Sequence, residues 1–157
     1  MDGDFAPKLD APDGYTIETN VRATDWWRKA ARSLSVGKLC AIDYFLADEE
    51  LWRPERVRGT ARAYRSHHVS SDLLANPGEQ DITAHVCVTF LEAAGETEGL
   101  QTEPLMTQAA FLTRILQQGF ELHKDRTGQF KTLTHPEHLG ERFKVFIQSR
   151  SHGSTNL

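Results

Sequence analysis

Apolar positions along the chain first recur at helical spacing. Val21, Trp27, Ala30, Ala31 and Leu34 fall on one side, while Arg22, Arg28, Lys29 and Arg32 fill much of the other. This pattern predicts an amphipathic helix. Asn20 is placed to cap it, since its side chain can accept from a free first-turn amide, and Gly37 to stop it. Residues 38–45 (KLCAIDYF) are instead apolar on successive positions. That predicts a strand buried on both faces, as parallel strands flanked by helices are. Val86, Phe90, Leu91 and Ala94 predict a helix over 86–98, closed by Gly99, and residues 100–107 a short strand. Thr107 is then the expected cap of a second helix, whose stripe of Ala110, Phe111, Leu112 and Ile115 runs to Gly119. A further helix start is read in Thr134-His135-Pro136-Glu137, because proline at the first helical position costs no hydrogen bond. Residues 142–149 alternate Phe143, Val145 and Ile147 against Arg142, Lys144 and Gln148, with Phe146 breaking the pattern. They predict the last strand.

This order of helix, strand, insert, helix, strand, helices and strand is that of the second half of an α/β domain. The 157 residues suit one domain. Within it, residues 1–19 read as an extended lead-in, 20–150 as the folded part with an insert at about 46–81, and 151–157 as a tail. A net charge of -4 argues against a whole-surface nucleic-acid binder. The charge is nevertheless segregated. Five arginines lie within residues 52–68 against the single acid Glu55, and residues 69–104 hold seven acids and no Lys or Arg. Pairing between the two segments is the simplest expectation. The longest apolar runs, 39–42 and 44–47, are far below the ~20 residues of a membrane span. The acidic N-terminus resembles neither a secretory signal nor a transit peptide, which makes a reducing cytoplasm the default expectation. Cys40 and Cys87 form no C-x-x-C pair and are read as buried, space-filling thiols.

Candidate chemistry gathers at two places. Asp43 ends the first strand, and ligands of open α/β sheets bind beyond such carboxyl ends. The alternative is that Asp43 caps the next helical turn. The run GEQDITAHV, residues 78–86, follows the turn signal Asn76-Pro77-Gly78 and packs Gln80, Asp81, Thr83 and His85 together. His85 is a candidate proton acceptor with Asp81 orienting its ring. Alternatively, Asp81 and Thr83 cap the following helix and His85 is a satisfied core histidine. No histidine spacing suits zinc, so no metal is expected, and neither a nucleophile elbow nor a phosphate loop is present.

Five ordered stretches carry a family resemblance: residues 39–44 (LCAIDY), 59–67 (GTARAYRSH), 77–86 (PGEQDITAHV), 107–112 (TQAAFL) and 139–145 (LGERFKV). Together they resemble the carboxyl half of the MidA-like class I S-adenosylmethionine-dependent methyltransferases. That family includes the arginine methyltransferase of mitochondrial complex I assembly. The resemblance covers roughly residues 15–150. It implies a Rossmann-like methyltransferase sheet with flanking helices and an inserted loop region, of which residues 38–45, 100–107 and 142–149 would be the fifth, sixth and seventh strands, the seventh antiparallel.

The resemblance also implies S-adenosylmethionine as cofactor and a protein arginine as methyl acceptor. Asp43, Asp81 and His85 would then be catalytic, and Tyr44, Gln80 and Thr83 would bind substrate. A guanidinium acceptor needs carboxylates to orient it, which Asp43 and Asp81 could supply. The chain departs from the family pattern at Phe45, where a glycine is usual, and at Cys87-Val88, where Asp-Phe is usual. Its eleven glycines contain no G-x-G pair. The cofactor cradle is therefore expected on a complementary N-terminal half, and this chain alone is expected to be inactive. The competing expectation is a non-catalytic remnant that binds a protein, or a second copy of itself as a homodimer, through an open sheet edge.

Overall fold

The first helix forms where its pattern places it, but Asn20 takes a different part from the one expected. The structure, a computed structural model, describes residues 11–152. Most of the lead-in (residues 1–10) and of the tail (153–157) lies outside the described residues. Helix α1 spans Val21–Ser33 and buries Thr24, Trp27 and Ala31. Asn20 stands at its N-cap with φ 50° and makes no side-chain cap bond. Asparagine tolerates this left-handed conformation better than most residues. Its amide reaches across the fold: Nδ2 donates to the His85 carbonyl (3.3 Å) and Oδ1 accepts from the Cys87 amide (2.8 Å).

Strand β1 (Gly37–Asp43) follows and pairs antiparallel with β9 (Lys144–Arg150) over its whole length. The far side of β9 pairs with two short strands, β7 (Gln101–Thr102) and β8 (Met106–Thr107). The single strand expected over 100–107 is thus split around Pro104, which has no amide to give the ladder. The order is β1-β9-β7/β8, so among the described residues β1 is an edge with no strand beyond it.

That edge overturns the expectation of a first strand buried on both faces. In β1, Leu39, Ala41 and Asp43 are half-buried and Lys38, Cys40 and Ile42 are exposed. Cys40, expected to be buried, is exposed, whereas Cys87 is buried as expected; both thiols are free. The strand buried on both faces is β9, at the sheet centre, where Val145, Phe146, Ile147 and Gln148 are all buried. Its Phe146 and Gln148 face α1 and α3 (Val88–Thr97), and its Ile147 faces α4 (Gln108–Gln117).

Trp27, Phe45, Val88, Leu91, Ala94 and Phe146 form the core on the first of these faces. Inside it, Gln148 Oε1 accepts from Trp27 Nε1 (2.7 Å), and Nε2 donates to the Glu92 carbonyl (3.0 Å) and to Thr102 Oγ1 (2.8 Å). Gly95 of α3 makes room for it, since a Cβ there would lie 1.7 Å from Gln148 Oε1.

The insert has structure of its own. A short helix α2 (Asp48–Leu51) precedes a small antiparallel sheet in the order β4-β3-β5, made of β3 (Arg62–Arg65), β4 (His68–Ser70) and β5 (Asp81–Thr83). The chain then returns through β6 (Val86–Cys87), which pairs in parallel with β2 (Phe45–Leu46) directly after β1. This pairing delays α3, expected from residue 86, to Val88. It also rules out Asp81 and Thr83 as caps of that helix, because both lie in β5.

Thr107 caps α4 as expected, its hydroxyl accepting from the Ala110 amide at 3.2 Å. An unexpected helix, α5 (Thr127–Thr134), ends where a helix start was read. After it, Pro136–Gly140 forms only a single wide turn, with His135 Nδ1 accepting from the Glu137 amide.

Candidate functional site

The parallel contact of β2 with β6 brings the two candidate regions together. The Val86 amide donates to the Tyr44 carbonyl (3.1 Å), and the Tyr44 and His85 rings stand 6.0 Å apart. Beside them opens a cleft of about 230 Å³ lined by Tyr44, Thr60, Arg62, Tyr64, Thr83, Ala84, His85 and Arg142. Tyr44 is held by the Phe143 ring at 4.2 Å. Arg62 and Thr83 are opposite one another in the β3–β5 ladder, so their side chains share its face.

Of the six residues singled out from sequence, Tyr44, Thr83 and His85 line this cleft. Asp43 lies next to it, half-buried, with Oδ1 accepting from the Tyr44 amide at 2.7 Å. It therefore organises the strand's own end and does not cap the short helix α2, whose N-cap is Ala47. Asp81 shares the Thr83 face of β5 but is exposed, opposite Tyr64. Gln80 turns away. Its amide donates to the Leu73 carbonyl (2.7 Å), and it lines a separate hollow with Arg65, Ser66, His68 and Asn76.

His85 is half-buried, and its amide donates to Thr60 Oγ1 at 3.0 Å. Burial pushes its imidazole below the ordinary histidine range. Arg56 and Arg62 push the same way, while Glu18 and Asp43 oppose them more weakly. The ring is thus neutral near pH 7, and the acids that act on it are Glu18 and Asp43; Asp81, expected to orient it, has no hydrogen bond to it.

Glu18, unread in the sequence, anchors the floor of the cleft. Its Oε1 accepts from the Thr60 (2.6 Å) and Ala61 (3.0 Å) amides. Gly59 permits this with φ +62°, and a Cβ there would lie 2.5 Å from Glu18 Oε1. The lead-in is thereby stitched to the insert, helped by the Thr16 amide on the Val57 carbonyl and the Tyr15 hydroxyl on the Arg53 carbonyl. Only the glycine inside GTARAYRSH hinted at this.

The expected pairing of the basic and acidic segments reduces to Arg65 with Glu79 at 2.6 Å. Arg62 instead donates from Nη1 to the Ala61 (2.6 Å) and Gly59 (3.3 Å) carbonyls. Among the described residues neither Arg62 nor Arg142 has a carboxylate partner. No group of His, Cys, Asp and Glu there could hold a metal ion, and no helix is long and apolar enough to cross a membrane.

The family described as "Putative S-adenosyl-L-methionine-dependent methyltransferase" matches residues 3–106, more than half of the chain. The chain belongs to this methyltransferase family. Two crystal structures from Burkholderia thailandensis are similar to it. One, of an uncharacterized superfamily protein, is 29% identical with a TM-score of 0.76, covering 92% of this chain and 41% of that one. The other, of a superfamily member bound to S-adenosyl-homocysteine, is 30% identical with a TM-score of 0.75, covering 91% and 39%. The chain thus spans about two fifths of the length of the structures it matches. No curated protein matches it.

These neighbours establish the α/β fold expected from the order of elements, and its likeness to part of a methyltransferase fold, which the family resemblance implied. The cleft does not by itself suit the family's cofactor. The cleft is smaller than the ~300–1,000 Å³ of ordinary ligand pockets. Its two arginines oppose a sulfonium cation, and no pair of closely spaced glycines frees backbone amides for a nucleotide.

Proposed function

We propose that this chain is the C-terminal portion of a MidA-like methyltransferase, with residues 20–150 supplying the acceptor side of the site. A complementary N-terminal segment would bring S-adenosylmethionine. The observation that carries this reading is the sheet order β1-β9-β7/β8, in which β1 lacks a strand partner along its outer edge among the described residues. Its face is also left half-open at Cys40 and Ile42. A row of unpaired backbone groups is a ready template for another strand, and exposed apolar side chains beside it favour a further layer. The match to only about two fifths of an S-adenosyl-homocysteine-bound structure supports the same division.

A protein arginine as acceptor rests on the resemblance. Asp43 at the end of β1 and exposed Asp81 are the carboxylates at hand to orient it, at the margins of the cleft rather than inside it. Neutral His85 is the group suited to receive a proton. Two free thiols fit a reducing cytoplasm.

Calorimetry with S-adenosyl-homocysteine tests the proposal. The chain is titrated alone and mixed with the part of the Burkholderia protein that it does not span. Binding in the mixture only is expected. Absence of binding in both, together with a stable homodimer by light scattering, would replace this reading with a partner-binding remnant. Tight binding by the chain alone would overturn the division into halves.

A further inference from the structure

The lining of the cleft is one-sided in its chemistry. Arg62 and Arg142 supply guanidinium groups, Tyr44 and Tyr64 phenols, and Thr60 and Thr83 hydroxyls, with no carboxylate among them. Of the acids nearby, Glu18 is committed to the Thr60 and Ala61 amides and Asp43 to the Tyr44 amide, while Asp81, opposite Tyr64, is exposed at the margin and is not part of the lining. Thr60 is only 4% exposed, and its hydroxyl accepts from the His85 amide, which leaves its own hydrogen to donate. Arg62 is steadied by two carbonyls at Nη1, and its other N–H groups have no protein acceptor among the described residues. Arg142, at the exposed side, has no hydrogen bond or ion pair there. A lining with two cations, hydroxyls able to donate, a neutral His85 and no carboxylate fits a planar oxyanion, which two guanidinium forks and flanking hydroxyls recognise through charge-assisted hydrogen bonds. At about 230 Å³ the space suits a group the size of an acidic side chain.

We propose that the cleft between β3, β5 and Tyr44, the residue linking β1 to β2, is a carboxylate-binding site. Its ligand is either a small free carboxylate or an Asp or Glu side chain of a protein, and both present the same head group. The inference does not depend on methyl transfer. If the chain does form part of a methyltransferase, the carboxylate belongs to the acceptor, next to the group that is methylated.

The test is an amide-resolved NMR titration of the 157-residue chain at low salt, with no methyl donor present. Glutarate, N-acetyl-glutamate amide and, as a cationic control, N-acetyl-arginine amide are compared. Saturable shifts at Thr60, Thr83 and Ala84 are expected with the carboxylates, weakening as salt is raised. Arg142→Gln, a change at an exposed position, should weaken binding about tenfold, as expected for one lost charge-assisted bond. Tighter binding of the blocked glutamate assigns the site to a protein side chain, and tighter binding of glutarate to a free metabolite. No saturable shift with either carboxylate would overturn the inference, as would unchanged affinity in Arg142→Gln or preferential binding of the arginine amide.

Discussion

Two polar clusters in this molecule are built from similar groups and end in opposite states. Around Gln148 every hydrogen-bonding group of the side-chain amide is satisfied: Trp27 donates to it, and the Glu92 carbonyl and Thr102 hydroxyl accept from it, at 0% exposure. Around His85 the arrangement is open. Among the described residues Arg142 has no hydrogen-bond or ion-pair partner and Arg62 is only partly satisfied, and the tyrosines line an open cleft. A buried polar network stabilises only when it is complete, so the first cluster is architecture that ties α1, α3 and β7 to β9. The second keeps donors available for something outside the chain.

This contrast is sharpest at Gly95. Gly95→Ala drives a methyl group into the Gln148 amide. The displaced side chain would strand its partners and crowd the core, at a cost of about 2–4 kcal/mol even after the helical preference of alanine. Urea unfolding should show it as a lowered midpoint with little change in slope. A midpoint close to that of the parent would mean that the Gln148 cluster relaxes freely and is not architecture.

Gly59→Ala strikes the other cluster from below. It imposes a side chain at φ +62° and pushes on Glu18, which should cost about 1–2 kcal/mol. Because Glu18 holds the Thr60 and Ala61 amides, faster hydrogen exchange is expected at those two amides and not at the Gln148 amide. Uniform acceleration across the sheet would instead show that the two clusters share one cooperative unit.

The smallest effect concerns pH. His85 is depressed below its ordinary value by burial, then by Arg56 and Arg62, against the weaker pull of Glu18 and Asp43. Its unfolded form therefore takes up a proton at higher pH than its folded form does. The stability it contributes is complete above the unfolded value near 6.5 and is lost as pH falls through the folded value. A fall in the unfolding midpoint below about pH 6.5 is expected, and it should be smaller in His85→Gln than in the parent. Identical pH dependence in the two proteins would place the titrating group elsewhere.

How far the sequence foretold this fold depends on whether the deciding contacts are local. α1, α4 and the Thr107 cap follow from spacing and neighbouring residues, and they form as read. Residues 38–45 were misread because a run of apolar side chains reports what a strand would bury, not what it meets. β1 stands at an edge, so Cys40 and Ile42 remain open. β9 was read as an alternating strand, yet it is buried on both faces because Gln148 found partners for all its polar groups. α5 was missed because its eight residues carry no buried side chain to mark a stripe.

The candidate site divides in the same way. The turn before residue 80 and the concentration of polar residues after it named Thr83 and His85, the strand end named Asp43, and the family resemblance named Tyr44. Their meeting depends on the short parallel pairing of β2 with β6, for which two residues on each strand give no readable pattern. Glu18, Asn20 and Arg142 join across 42, 65 or more positions, and only the folded chain shows what they hold.

By itself, then, the sequence determined the α/β class, the family and the helices with a strong apolar stripe, because those depend on short-range spacing and on ordered blocks of residues. The tertiary structure decided which strand is central, which acids are consumed by backbone amides, and that the cleft is lined by two arginines and no carboxylate. Hydrogen bonds and charges distant in sequence are matched only when the chain closes on itself. Whether a polar side chain is satisfied or left available is a property of that closure.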